Sequence, residues 1–117
     1  MKNIIKNSLG EIEISREVIA LLAGNAAMEC YGLVGMVSRK MSDGITELLG
    51  RENLGKGVEV QLTDDTLVID LYIIVQYGTK INEVASNVID KVHFNLKNIL
   101  GFDPDKINVV VQGIRIK

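Results

Sequence analysis

One histidine and one cysteine are the residues of this chain that best fit nucleophilic catalysis. His93 would act as a general base and Cys30 as a nucleophile if their side chains met. Apolar periodicity places them on two different predicted helices, so the pair requires those helices to be neighbours. The alternative is a thiol buried in an alanine-rich stripe and a histidine at the surface. We favour this alternative and predict that the chain has no catalytic residue and is not an enzyme.

The acidic residues do not form a recognisable metal site. One histidine and one cysteine cannot complete a closed zinc site. Asp103 and Asp105 flank the only proline, but the ligand spacing of a calcium loop is missing. Asp70 lies in mid-strand, where we expect it to pair with a basic side chain such as Arg115. The sequence therefore predicts neither a metal nor a cofactor.

The segment Gly32-Leu-Val-Gly35 matches the GXXG turn with which KH domains hold a nucleic acid backbone. Its two middle residues are apolar rather than basic, and the net charge of the chain is −2. Nucleic acid binding usually depends on a basic surface. We therefore expect a turn whose glycines provide positive φ or close packing, and nucleic acid is an unfavoured partner.

Length and composition favour one small soluble domain spanning residues 1–117. A single cysteine excludes an intrachain disulfide and suits a reducing compartment. The N-terminus lacks the apolar core of a signal peptide, and no apolar run reaches the ~18 residues of a membrane span. We expect a cytoplasmic protein whose association with a membrane would depend on a partner.

The clearest structural pattern begins at Leu67. Residues 67–77 are apolar at every second position and rich in β-branched side chains, which predicts a strand ending at Gly78. From Thr79, a predicted N-cap, apolar residues follow helical spacing as far as a stop at Gly101. The apolar stripe of the helix would cover the apolar face of the strand.

The remaining segments build onto this unit. Residues 10–15 alternate as a strand, and Ser15 then caps a helix. Residues 57–63 would form a hairpin with the long strand, and residues 107–116 the last strand. The sequence indicates no clear structure for residues 36–56, although residues 45–50 fit one or two helical turns. The predicted fold is α+β, a two-layer sandwich in which a mostly antiparallel four-stranded sheet carries two long helices on one face, in the order β-α-β-β-α-β.

The far face of this sheet has no obvious covering layer. A contiguous apolar face on a small protein is typical of an association site, unless the glycine-rich segment folds over it. We name six interaction candidates on this face: Val68, Tyr72, Ile74, Val110, Ile114 and Ile116. In the other register of the last strand, Ile107, Val109 and Val111 would face this side instead. Three glycines are predicted as backbone turns: Gly32, Gly35 and Gly78.

Three segments, taken in order, resemble one known family. They are residues 10–35, which end in Glu29-Cys-Tyr-Gly-Leu-Val-Gly35, residues 55–85, and Ile107-Asn-Val-Val-Val-Gln-Gly-Ile-Arg115. Together they resemble the alkaline shock protein family, the envelope stress response proteins of Gram-positive bacteria. This chain departs from the family pattern by carrying Gly32-Leu33 where a Gly-Val pair is expected.

The resemblance implies a non-enzymatic cytosolic protein that supports envelope homeostasis, self-associates and is held at the membrane by a separate membrane-embedded partner. Our first hypothesis is therefore an interaction or scaffold protein that binds through its apolar sheet face. One alternative is a regulatory subunit of a metabolic or lipid enzyme. Another is a KH-like RNA-binding module that uses Gly32–Gly35.

Overall fold

The computed structural model describes residues 4–38, 51–63 and 66–116. Its elements in chain order are β1 (Ile4–Asn7), β2 (Gly10–Glu13), α1 (Arg16–Ala27), β3 (Leu33–Met36), a 3-10 helix (Arg51–Gly57), β4 (Val58–Leu62), β5 (Leu67–Gln76), α2 (Ile81–Leu100) and β6 (Lys106–Arg115). The helical turns predicted for residues 45–50 lie outside the described residues.

Strand β5 is the centre of a four-stranded sheet. It pairs in parallel with β6 along nearly its whole length. Its other edge is shared, because β4 pairs antiparallel with residues 67–71 and β3 pairs antiparallel with residues 73–75. The parallel pair requires a crossover connection, which α2 provides.

The predicted α+β two-layer fold is confirmed. Alternate β5 side chains are completely buried in one core cluster together with residues of α1 and α2, which places both helices on the same face. The five β5 residues are Leu67, Ile69, Leu71, Ile73 and Val75. Burial of each such side chain contributes roughly 1.5–3 kcal/mol to folding, so this layer supplies much of the stability.

The membership of the sheet differs from the prediction. The strand predicted at residues 10–15 lies outside the main sheet, where β2 forms a separate hairpin with β1. Its place is taken by β3, which the sequence assigned to a GXXG turn. Gly32 does lie in a turn, with φ +89°, but Gly35 is part of β3 and pairs with Ile74. The KH-type interpretation of this segment was therefore wrong in its geometry.

The helix ends follow simple capping rules with one exception. The Ser15 side chain accepts a hydrogen bond from the Val18 N–H at 3.2 Å, as predicted for an N-cap. Gly101 ends α2 with φ +85°. Thr79 is not the N-cap of α2, since that position belongs to Lys80. The Thr79 hydroxyl instead donates to the Gln76 carbonyl at 2.7 Å and closes the turn after β5.

The 3-10 helix packs tightly against α1. A Cβ atom built on Gly24 would lie 3.1 Å from both the Cβ and the carbonyl oxygen of Leu54, which is itself buried. The absence of a side chain at position 24 thus allows this close approach. Glycine inside a helix costs about 1 kcal/mol relative to alanine. The close contact with Leu54 explains why α1 carries a glycine at position 24 despite this cost.

The N-terminal hairpin, residues 4–13, is named the arm here. Its turn is closed by Asn7, whose side-chain oxygen accepts the N–H groups of Leu9 and Gly10 at 2.8 and 3.1 Å. Among the described residues, β1 and β2 make at most marginal contact with any other helix or strand. The arm is therefore a two-stranded projection from the domain.

Replacement of Gly32 by alanine should destabilise the domain more than the same change at Gly78. Both residues have positive φ, so each variant carries a left-handed backbone strain of about 1–2 kcal/mol. Only at Gly32 would the new Cβ meet another group, the Cγ2 of Val84 at 2.8 Å, which adds about 1–3 kcal/mol of overpacking. Urea denaturation of both variants measures the difference, and equal losses would contradict the predicted clash.

Candidate interaction surface

Two of the interaction candidates are buried within the chain. Tyr72 is 9% exposed and Ile74 is 7% exposed, and both pack in a second small apolar cluster on the far side of the sheet. Val34 and Val37 complete this cluster. The expectation that Tyr72 and Ile74 lie at a bare surface was wrong, because they pack with Val34 of β3, which the sequence had assigned to a turn, and with Val37, which directly follows β3.

Polar pairs occupy much of the rest of the far face. The Tyr72 hydroxyl donates to the Glu59 carboxylate at 3.2 Å, across the β4–β5 pair. The Asn108 amide donates to the Asp70 carboxylate at 2.8 Å, across the β5–β6 pair. Asp70 is thus bonded to Asn108 rather than to the predicted Arg115. Val68, another candidate, is half-buried on this face. The far face is a mixed surface rather than a continuous apolar one.

The last strand divides its apolar residues between the two sides of the sheet. Three of them pack against the main core: Ile107, Val109 and Val111. Val110 lies opposite Tyr72 and therefore on the far face, where it is 40% exposed. The register then shifts between Ile73 and Ile74, and Ile114 comes to lie opposite the core residue Val75. This irregularity places Ile114 on the helix side while Val110 stays on the far face, a combination that neither predicted register included.

Strand β6 presents an unpaired edge. Among the described strands it pairs only with β5, so the backbone groups on its outer side have no strand partner. Val110, Ile114 and Ile116 stand along or just beyond this strand and are 40%, 47% and 72% exposed. We call Lys106–Ile116 the β6 edge. An edge strand of this length is a template for pairing with another chain.

The two residues considered for catalysis have different partners. The Cys30 thiol donates to the Asn87 carbonyl at 3.7 Å, whereas the His93 ring lies 3.2 Å from the Asp103 carboxylate. Burial raises the pKa of the Cys30 thiol, and the neighbouring Lys91 only partly opposes this effect. The protonated thiol is a weak nucleophile. The structure therefore places these two groups in separate contacts rather than in one pair.

A cleft that the sequence did not predict opens beside the start of α1. It has a volume of about 440 Å³ and lies between α1, the 3-10 helix and β4. Its described apolar wall consists of Ala20, Leu21, Val58 and Val60. Its charged groups, among the described side chains, are Arg16, Glu17 and Lys56. We call it the α1 cleft. The feature that marks it is Leu21, an apolar side chain of α1 that is 46% exposed in its wall.

The described residues contain no cluster of three or more His, Cys, Asp or Glu side chains that could hold a metal ion. Within the same residues, no helix combines the length and the apolar character needed to cross a membrane.

Comparison with protein-family models identifies the family to which the chain belongs. A family model described as the ASP23 family, with cell envelope-related function, matches residues 4–116. The chain belongs to the alkaline shock protein family. The resemblance seen in the sequence is thereby confirmed, and the family's function is cell envelope-related.

Several alkaline shock protein family relatives are similar over most of their length. The chain is 48% identical over 113 residues to the uncharacterized protein YloU of Bacillus subtilis, covering 96% of this chain and 94% of that protein. It is 44% identical over 108 residues to the uncharacterized protein Spy1614 of Streptococcus pyogenes, covering 92% and 89%. It is 38% identical over 107 residues to YqhY of Bacillus subtilis, covering 92% and 78%. No solved structure matches the chain.

Replacement of Tyr72 by phenylalanine should lower the free energy of unfolding by about 0.5–1.5 kcal/mol, because it removes the hydroxyl that donates a hydrogen bond to Glu59. The matched control is Tyr77→Phe, whose side chain is 66% exposed and should change stability little. Denaturant unfolding measures both variants. If the Tyr72→Phe and Tyr77→Phe variants are equally stable, the hydrogen bond of the Tyr72 hydroxyl contributes nothing to the stability of the fold.

The Cys30 thiol should react with iodoacetamide several-fold more slowly in the folded protein than in urea at pH 8. A raised pKa leaves less thiolate at any given pH, so the rise of the folded protein's alkylation rate with pH should begin at higher pH. Mass spectrometry of timed samples measures the rates. Equal rates in the two states would show that burial does not protect this thiol.

Proposed function

We propose that this alkaline shock protein family member is a non-enzymatic cytoplasmic interaction protein. It serves the cell envelope by binding other protein chains, either copies of itself or a membrane-embedded partner. The observation that carries this proposal is the β6 edge: among the described strands β6 pairs only with β5, and the side chains along its length include exposed apolar ones. The family's cell envelope-related function supplies the context in which such binding is useful.

The β6 edge has the physical properties of a strand-addition site. Its strand, β6, is ten residues long, which corresponds to roughly 33 Å of extended backbone. A partner strand can satisfy the N–H and C=O groups on its outer side, which pair with none of the described strands, and side chains on the two sides of the sheet then add specificity. Val110 on the far side and Ile114 on the helix side would flank such a strand. One added strand would thus bury apolar groups on both faces.

The charged side chains of β6 lie near its two ends, so the middle of the β6 edge is accessible to a partner strand. Lys106 and Arg115 stand at the two ends of β6, whereas the central run Val109-Val110-Val111 carries no charge. Proteins protect unwanted edges with charged side chains, prolines or bulges. Here the one irregularity follows Val111, and the stretch before it pairs regularly with β5. The central β6 edge is therefore the part most available to a partner.

The buried cluster on the far face supports this role indirectly. Tyr72 and Ile74 cannot serve as exposed anchors, but they pack with Val34 and Val37 and stiffen the sheet beneath Val110. A rigid strand loses little conformational entropy when a partner binds. Of the six interaction candidates predicted from the sequence, the proposal thus retains three as direct contacts: Val110, Ile114 and Ile116.

The variant Val110→Glu/Ile114→Glu should weaken self-association, or capture of a membrane-embedded partner, by about tenfold or more, since charges at the centre of an apolar interface are strongly unfavourable. Both positions are 40–47% exposed, so the fold should survive, and circular dichroism checks this. The matched control is Phe94→Glu/Ile99→Glu on α2, where both side chains are about 60% exposed. Light scattering across a concentration series measures self-association.

Pull-down from detergent-solubilised membranes of a Gram-positive host measures partner capture by the same variants. A wild-type chain that stays monomeric and captures no membrane protein would overturn the proposal. Loss of binding in the α2 control but not in the β6 variant would place the interface elsewhere. A metabolic or lipid enzyme recovered from native cytosol would favour the regulatory-subunit alternative.

A further inference from the structure

The backbone hydrogen bonds of β5 show which of its residues face β6. The N–H of Tyr77, directly after β5, donates to the Arg115 carbonyl at 2.8 Å. The Tyr72 carbonyl instead accepts the Val37 N–H at 3.1 Å, on the side of β3. Backbone groups of successive strand residues point to opposite edges of the strand. The odd-numbered residues of β5 therefore direct their hydrogen bonds toward β6.

The β6 residues paired with them present their own backbone groups to the outer side. In a parallel pair, a residue bonds to the two neighbours of its partner, so the partner itself faces away. Four β6 residues are partners of odd-numbered β5 residues: Ile107, Val109, Val111 and Ile114. Their N–H and C=O groups pair with none of the described strands. We call these four residues the outer row, because a strand added at the β6 edge would meet their backbone groups.

The side chains of the outer row are only partly covered. Three of them pack against the main core yet stay half-buried, whereas the β5 residues paired with them are completely buried. These three are Ile107, Val109 and Val111. The difference arises because β5 has neighbours on both edges and β6 has a described neighbour on one. A second apolar strand beside β6 would complete the cover on the helix side.

A second copy of β6, running antiparallel, fits the outer row when Val109 lies opposite its own copy. Ile107 then lies opposite Val111 of the second copy, because both are two positions from Val109. All three residues direct their backbone groups outward, so each pair can exchange both of its N–H···O=C bonds. The arrangement is the same for both copies, as a two-fold axis requires.

The side chains are compatible with the same register. On the helix side, Val109 meets Val109, and Ile107 meets Val111, so every pair is apolar. On the far face, Val110 lies opposite Asn108 of the second copy, and neither side chain is charged. All five residues precede the register shift that follows Val111. The contact therefore uses the part of β6 that is regular.

Charges disfavour the register centred on Val110. Strand β6 carries one cation near each end, Lys106 and Arg115. Both lie on the far face, opposite Val68 and Gln76 of β5. With Val110 opposite its own copy, the register shift would bring Lys106 of one copy opposite Arg115 of the other. Like charges directly opposite each other destabilise a strand pair.

The register centred on Asn108 is also less favourable. It sets the charged Lys106 opposite Val110 and leaves Val111 without an apolar partner. A centre between two residues would set the helix side of one copy against the far side of the other. Among antiparallel registers in the middle of β6, the one centred on Val109 thus pairs only uncharged side chains.

We infer that β6 pairs antiparallel with β6 of a second copy of this chain across a two-fold axis at Val109, which joins the two sheets into one. The inference rests on the proposed function, for which it names the occupant of the β6 edge and its register. Because this pairing fills the centre of the β6 edge, a second copy and a membrane-embedded partner that adds a strand there would compete.

Single cysteines in a Cys30→Ser background test the register. Val109→Cys should form a disulfide-linked dimer on mild oxidation, because its Cα would lie about 5.5 Å from that of its copy, within disulfide range. Ile107→Cys and Val111→Cys are matched controls on the same face of the same strand. Each alone should stay monomeric on a non-reducing gel, since its own copy would be displaced by roughly 13 Å along the strand. Mixed with tags of different mass, these two controls should crosslink to each other.

Removal of one outward N–H tests the backbone bonds. Val109→Pro deletes an N–H that faces away from β5, a position at which an edge strand tolerates proline. It should weaken dimerisation by about tenfold or more, since a partner carbonyl loses its donor at the centre of the interface. Val109→Ala is the matched control, because it also shortens the side chain but keeps the N–H, and it should weaken dimerisation less. Light scattering across a concentration series measures both variants, and circular dichroism checks the fold.

The outcomes separate this inference from the proposed function. Self-association that Val110→Glu/Ile114→Glu weakens, but that Val109→Pro leaves unchanged and Val109→Cys does not crosslink, overturns the symmetric pairing and leaves the β6 edge as a binding site. Disulfide dimers of Ile107→Cys or Val111→Cys alone also overturn the register. A chain that is monomeric at every concentration yet captures a membrane protein overturns the inference alone. A chain that does neither overturns both proposals.

Discussion

Burial of one face of β5 is the constraint on which the rest of this structure depends. Five alternate side chains of that strand are completely inaccessible to solvent, and they can be so only if both helices lie over the same side. The pattern also requires β5 to be central, because a strand buried this completely needs neighbours on both edges. The three pairing partners and the crossover helix follow from this requirement.

Burial of β5 and pairing of both its edges leave other parts of the chain exposed to solvent. The parallel partner β6 covers one edge of β5 but presents its own outer edge to solvent. The other edge of β5 is divided between β3 and β4, and the arm pairs with none of these strands. The domain thus has a nearly complete interior, whereas the outer edge of β6 has no strand partner among the described residues, which is the physical basis of the proposed contact.

Prediction from sequence was accurate where the pattern is local and long. The alternation of residues 67–77 and the helical spacing that follows extend over many residues, and β5 and α2 lie where they were predicted. The family assignment also depended on order and spacing, and the family model confirms it. Prediction failed for the short strand β3, whereas the short strand β4 was predicted correctly. Four residues of β3 carry too little periodicity to be distinguished from a turn that contains two glycines.

By itself the sequence determined the central strand with its covering helix and the Ser15 cap, because each depends on residues close together in the chain. It also determined the family and the α+β class, because these depend on the order and spacing of such segments along the chain. Tertiary structure alone decided that β3 completes the sheet, that Tyr72 and Ile74 are buried, that Ile114 lies on the helix side and that the arm makes at most marginal contact with the other described helices and strands. Those outcomes depend on strand partners and registers between distant segments. A one-residue shift in pairing moves a side chain from one face of a sheet to the other, and no local pattern specifies that shift.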